Sequence, residues 1–158
     1  MQGIDMFLNK SPAHPKPLVR FNQATVLFVT MCTKPRGNWL ATPETQRALL
    51  EAAHKANHWS IGRYVIMPDH VHFFCKPGVI EPASIKKWSS YLKRNLTLLL
   101  ETQGNWSWQS DVWDTQMWDR NHYTKKLHYM EMNPVRAGLV DDPASWPYKG
   151  SVRDLVWL

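Results

Sequence analysis

The run Tyr64-Val-Ile-Met-Pro-Asp-His-Val-His-Phe-Phe-Cys75 folds back on itself. β-Branched and aromatic residues dominate both sides of Pro68-Asp69, so the sequence predicts two antiparallel strands, Trp59 to Met67 and His70 to Lys76, joined by a short turn. Side chains on a strand alternate between faces, so His70 and His72 share one face and Val71 takes the other. Two imidazoles side by side on a rigid element can hold a divalent metal. They can equally be two partly buried polar side chains at a sheet surface.

The surrounding sequence extends this hairpin into a domain. Ala24 to Thr33 reads as a strand and Lys34 to Asn38 as a turn. Thr42 and Pro43 open a helix to about His58, with Leu49, Leu50 and Ala53 facing inward. Pro82 and Ser84 open a second helix to about Thr102, with Ile85, Trp88, Leu92, Leu96 and Leu99 at helical spacing and Gly104 as the stop. Residues 105–118 carry four tryptophans in loop or short strand. Asn121 to Met132 reads as a third helix, ended by Asn133-Pro134. The order predicts an α+β fold, a ferredoxin-like antiparallel sheet backed by helices. Residues 1–20, with Ser11-Pro-Ala-His-Pro-Lys-Pro17, are expected to be a flexible arm, 21–150 a single domain and 151–158 a tail.

The 158 residues suit a single core, and the net charge of +6 favours a polyanionic partner. Nine tryptophans can fill a core or stack on unpaired bases. Cys32 and Cys75 lie in apolar runs without a Cys-x-x-Cys spacing, so free buried thiols are expected and a structural zinc site is not. Met1 to Lys10 lacks the basic start and apolar block of a signal peptide, and no apolar run reaches the ~20 residues of a membrane span. The expected location is the cytoplasm.

Tyr129 and Asn133 are four residues apart on the third helix, so a phenol and an amide oxygen can point at the same spot. With His70 and His72, the Asn133 oxygen would give a three-ligand site with open positions. Tyr129 also reads as a core aromatic and Asn133 as a helix C-terminal cap.

Met67-Pro-Asp-His-Val-His72 together with Tyr129-Met-Glu-Met-Asn-Pro-Val-Arg-Ala-Gly-Leu-Val140 resembles the single-tyrosine HUH transposases, and within them the REP-associated tyrosine transposase branch. The resemblance spans most of residues 20–150, including Trp106 to Trp113 and Trp146-Pro-Tyr148. It implies a prokaryotic, nucleoid-associated nuclease that cuts single-stranded DNA beside a hairpin. His70 and His72 match the metal-binding pair, Tyr129 the nucleophile on a C-terminal helix, and Asn133 the polar residue that completes the metal site.

On that reading a divalent ion, Mg2+ or Mn2+, polarises the phosphodiester, and Tyr129 forms a covalent 5′-phosphotyrosine and frees a 3′-hydroxyl. Zinc also fits the ligand types. No base for the phenol is named by the sequence; Glu131, His128 and metal-bound water are candidates. Lys86, Lys87, Lys93, Arg94, Arg120, Lys125 and Lys126 are expected to meet phosphates, and Trp106 and Trp108 to stack on bases. A solvated helix face and core packing are the plainer readings of these residues. The partner is single-stranded or hairpin DNA, bound by a monomer or homodimer. Two other functions fit: an idle DNA-hairpin-binding protein descended from a transposase, and a phosphoesterase acting on small nucleotides.

Overall fold

The structure is a computed structural model and describes residues 12–19, 25–101 and 104–155. The expectations for residues 1–11, 20–24, 102–103 and 156–158 lie outside them. Strand β1 (Leu27–Lys34) is followed by helix α1 (Pro43–Lys55), β2 (Trp59–Ile66), β3 (His70–Pro77) and α2 (Ile85–Leu100). Next come two short strands, β4 (Ser107–Trp108) and β5 (Trp113–Gln116), and helix α3 (Arg120–Glu131). A helical turn α4 (Asn133–Arg136), a 3-10 turn (Pro143–Ser145) and strand β6 (Lys149–Ser151) end the succession.

β3 lies between β1 and β2, antiparallel to both, and β5 pairs antiparallel with the outer edge of β1. The order β5-β1-β3-β2, with α1 joining β1 to β2 and α2 leaving β3, is the expected ferredoxin-like sheet. β4 extends the β1 edge at Thr33 and Lys34. β6 covers the far edge of β2, pairing Arg63 with Ser151 and Val65 with Lys149. The sequence reading named no strand here; a Lys-Gly-Ser strand carries no apolar alternation and is held by backbone hydrogen bonds.

Alternation sorts the sheet's side chains into two cores. Val29, Met31, Ile61, Ile66, Val71 and Phe73 face α1 and α2. Val26, Phe28, Val65, Met67 and Phe74 face the side covered by α3, which adds Met130. Between Ile61 and Tyr64 β2 takes one residue more than β3, and this bulge keeps both residues on the α1/α2 side. Each fully buried Phe or Leu contributes about 1.5–3 kcal/mol, so the two layers together make the sheet a fixed platform.

Local signals mark the helix starts as expected. The Thr42 side chain accepts from the Thr45 N–H with Pro43 in the first turn, and the Ser84 hydroxyl accepts from the Lys87 N–H. The second helix ends before the expected stop, at Leu100, where Glu101 adopts a left-handed conformation at φ 47°. The third has the expected length but begins and ends one residue earlier. It closes at Glu131, and Asn133 opens a new turn, because Pro134 has no N–H to continue the ladder. Cys32 and Cys75 are free and buried, as expected. No helix among the described residues is long and apolar enough to cross a membrane.

Candidate active site

The β2–β3 turn fixes the first histidine. The Thr33 N–H donates to the Asp69 carbonyl, and the Trp39 and Leu40 N–H groups both donate to the Pro68 carbonyl, each at 2.9 Å. Arg36 Nε holds Asp69 Oδ2 at 2.9 Å, which leaves Oδ1 to accept from His70 Nδ1 at 2.7 Å. Burial alone would raise the Asp69 carboxyl pKa, but the hydrogen bonds from His70 and Arg36 win and hold it at about 2. The carboxylate therefore only accepts, so His70 Nδ1 carries the proton. On β1, Thr30 sits directly opposite His72, and its hydroxyl lies 2.8 Å from His72 Nδ1. Phe28 stacks on the His72 ring at 5.1 Å. Full burial, with the charge of His70 adding to it, pushes the His72 pKa well below its usual value, so this imidazole is neutral.

These anchors leave three atoms facing one another. His70 Nε2 is 3.1 Å from His72 Nε2 and 3.0 Å from Asn133 Oδ1, and all three residues are buried. With Thr30 accepting from His72 Nδ1, both Nε2 atoms present lone pairs beside an amide oxygen. A proton on His70 Nε2 would satisfy one acceptor; a cation would satisfy all three. Separations of 3.0–3.1 Å match the edge of an octahedron with bonds of about 2.1–2.2 Å, near the lengths hard divalent ions adopt. The donor set thus fits Mg2+ or Mn2+, with second nitrogens oriented as metal-bound histidines usually are. Among the described residues no cluster of three or more His, Cys, Asp or Glu offers an alternative.

Helix α3 lies over this same face. Tyr123 packs on Phe74 at 4.5 Å, Met130 is fully buried, and Arg63 of β2 pairs with Glu131. Tyr129 is half-buried, with Lys126 Nζ 5.2 Å from its ring centroid. The same ammonium lies 5.3 Å from the Phe28 ring, which stacks on His72. Tyr129 and the histidines therefore share a neighbourhood through Lys126 and Phe28. Met132 hinges α3 to α4 and lets Asn133 drop to hydrogen-bonding distance of His70. Of the candidate bases, Glu131 is engaged by Arg63 and His128 is exposed.

The structure separates the other expected contacts. Lys86, Lys87 and Arg94 are exposed on α2, across the sheet from the histidines; Arg120 and Lys125 are exposed on α3, on the histidine side. Lys93 needs correction. It is buried, and its ammonium donates to the Gln109 and Asp111 carbonyls at 2.8 and 2.9 Å. Burial lowers its pKa to about 8, against the pull of Asp111. It staples the β4–β5 loop to α2 and is buried rather than presented to a phosphate. Trp106 and Trp108 are half-buried, meet edge to face at 5.3 Å and pack on the α1/α2 core. The fold does not bring them to Tyr129. Sequence reasoning missed Thr30, Arg36 and Asp69, which orient the imidazoles, and Arg136, whose guanidinium lies 3.9 Å over the Tyr129 ring. Only Asp69, adjacent to His70 in a tight turn, had a local signal.

An antiparallel ferredoxin-like sheet with a His-x-His strand under a tyrosine-bearing helix defines a class of small α+β proteins with a candidate metal-binding site. The family profile of the IS200-like transposases matches residues 23–137, more than half of the chain, and the protein belongs to that family. This bears out the resemblance seen in residues 67–72 and 129–140. A REP-associated tyrosine transposase of Escherichia coli (strain K12) is 22% identical over 130 residues, covering 81% of this chain and 77% of the relative. A solved structure described as a REP-associated tyrosine transposase bound to a REP hairpin superposes with a TM-score of 0.67 at 18% identity, covering 89% of this chain and 95% of the other. That likeness establishes the shared fold.

Proposed function

We propose that this protein is a metal-dependent DNA strand transferase that nicks and rejoins single-stranded or hairpin DNA of REP type through a covalent bond between Tyr129 and a 5′-phosphate. The observation that carries the reading is the convergence of His72 Nε2 and Asn133 Oδ1 on His70 Nε2, at 3.1 and 3.0 Å, beside the helix that bears Tyr129. Membership of a transposase family and the hairpin-bound relative of the same fold support DNA as the partner.

His70, His72 and Asn133 would hold the divalent ion, Mg2+ or Mn2+, which when bound supplies positive charge to a non-bridging phosphate oxygen. Asp69 and Thr30 keep the two Nε2 lone pairs aimed inward, and Phe28 shields His72 from water. The Tyr129 oxygen attacks phosphorus in line, its O–H proton passes to solvent or a nearby base, and the 3′-oxygen departs and takes up a proton. The phosphotyrosine bond keeps the ester's energy. A 3′-hydroxyl can therefore reverse the step on another strand.

The test is a denaturing gel of the protein incubated with hairpin-bearing oligonucleotides and Mn2+. A band shifted by covalent DNA is expected from the native protein and none from Tyr129→Phe. Hairpin binding without an adduct, unchanged by Tyr129→Phe, would instead mark a hairpin-binding protein without strand transfer.

A further inference from the structure

Two cations meet at the Tyr129 ring. The Arg136 guanidinium carbon lies 3.9 Å and Lys126 Nζ 5.2 Å from the ring centroid, and Arg136 Nη2 donates to the Tyr129 carbonyl at 2.7 Å. Several other basic side chains here are paired with acids. Arg36 pairs with Asp69, Arg47 with Glu44, Lys55 with Glu51, Arg63 with Glu131 and Lys86 with Asp111. Among the described residues no carboxylate lies within ion-pair distance of Lys126 or Arg136. Lys126 is half-buried, so part of its hydration is lost with no acid to offset it. Two uncompensated cations around one phenol, beside three converging lone-pair donors, leave a positive spot lacking its anion.

We propose that Lys126 and Arg136 form a seat for one phosphate group of a DNA strand, with the Tyr129 ring as its floor, and that Arg136 is also a positioning residue for the phenol. The phosphate's own negative charge is the missing counter-charge. Arg136 reaches the seat with the guanidinium N–H groups not spent on the Tyr129 carbonyl, in the fork geometry that suits phosphate. Stacking and the carbonyl hydrogen bond tie Arg136 to the nucleophile, so holding the phosphate also aligns the ring. The proposal rests on reading the site as one that handles phosphodiesters, but not on covalent chemistry taking place.

The test separates these levels. Binding of a fluorescent hairpin oligonucleotide with a single-stranded flank is measured in a Tyr129→Phe background, where no adduct can form. Lys126→Met and Arg136→Gln are each expected to weaken binding about tenfold. Each should also flatten the slope of log K against log salt by about 0.7. Arg47→Gln, on exposed α1, is the control and should change neither. In the native background, Arg136→Lys should keep the salt slope but slow adduct formation at saturating DNA about tenfold, because a point charge cannot stack as a plane. Unchanged unfolding temperatures would show the variants folded, as both side chains are partly or fully exposed. Salt slopes unaltered by Lys126→Met and Arg136→Gln overturn the seat, even if the native protein forms adducts. An Arg136→Lys variant at full speed overturns the positioning role. Absence of any adduct with flattened slopes leaves the seat standing and removes the strand-transfer reading instead.

Discussion

Asp69→Asn tests the site without touching a ligand. The substitution keeps the shape of the side chain that anchors His70 Nδ1 and removes its charge. Losing such an outer partner costs about 10- to 100-fold in metal affinity. At a Mn2+ concentration 100 times the native dissociation constant, binding stabilises the native protein by about 2.7 kcal/mol. In a chain of this size that raises the melting temperature by about 5–11 °C. The variant at the same concentration would sit at only one to ten times its own constant, about 0.4–1.4 kcal/mol, or about 1–6 °C. The loss of the carboxylate has its own signature. A carboxyl held at about 2 rather than 3.8 contributes roughly 2 kcal/mol of stability, present above pH 4 and lost as pH falls toward 2. The native protein should therefore lose stability through that window, and Asp69→Asn should start lower at pH 7 and lose less. Differential scanning fluorimetry with and without Mn2+ reads both effects. A variant whose Mn2+-induced shift equals the native one would refute the claim that Asp69 orients a metal-bound His70.

Three further outcomes follow from the packing. Lys93→Met should destabilise the fold by about 1–3 kcal/mol, since it strips the Gln109 and Asp111 carbonyls of a buried donor, and should leave the salt dependence of DNA binding unchanged; denaturant titration and binding isotherms check both. Gly78→Ala would set a Cβ 2.4 Å from the Asn57 carbonyl oxygen, backbone against backbone, and should cost about 1–3 kcal/mol in the same titration. His14 bridges Asp111 and Asp114; burial opposes its charge, but the two carboxylates prevail and raise its pKa. Its contribution is complete below the unfolded value of 6.5 and is lost as pH rises through the raised one. Hydrogen exchange at the Leu18 N–H, bonded to Gln116 Oε1, should accelerate over that range beyond the intrinsic pH trend.

How much of this was legible depends on whether the determining interaction is local. Alternation along Tyr64–Cys75 puts His70 and His72 on one face without any knowledge of the partner strands, and Thr42, Pro43 and Ser84 announce the helix starts through bonds a few residues long. Thr30 could not be found this way. Its tie to His72 depends on which residue of β1 stands opposite which of β3, and one residue of slippage would turn the hydroxyl to the other face. β6 was equally silent, because an edge strand of Lys-Gly-Ser is recruited by the exposed backbone of β2.

Two misses were legible. Ile85, Trp88, Ser89, Leu92, Lys93 and Leu96 form one buried helical stripe, so the spacing that identified α2 already placed Lys93 inside it. Its positive charge drew it into a phosphate-binding set that its position ruled out. Arg136 is the converse. It stands seven residues after Tyr129, two helical turns along the same face, within the very Asn-Pro-Val-Arg segment that pointed to the family. The break at Met132 does not undo that register, and the guanidinium still arrives over the phenol ring. Attention to Asn133 as a ligand hid the more general consequence of the spacing. Any segment that folds Asn133 onto His70 while keeping Tyr129 on its outer edge must also carry position 136 past the phenol, so ligand and cation are set by one helical path.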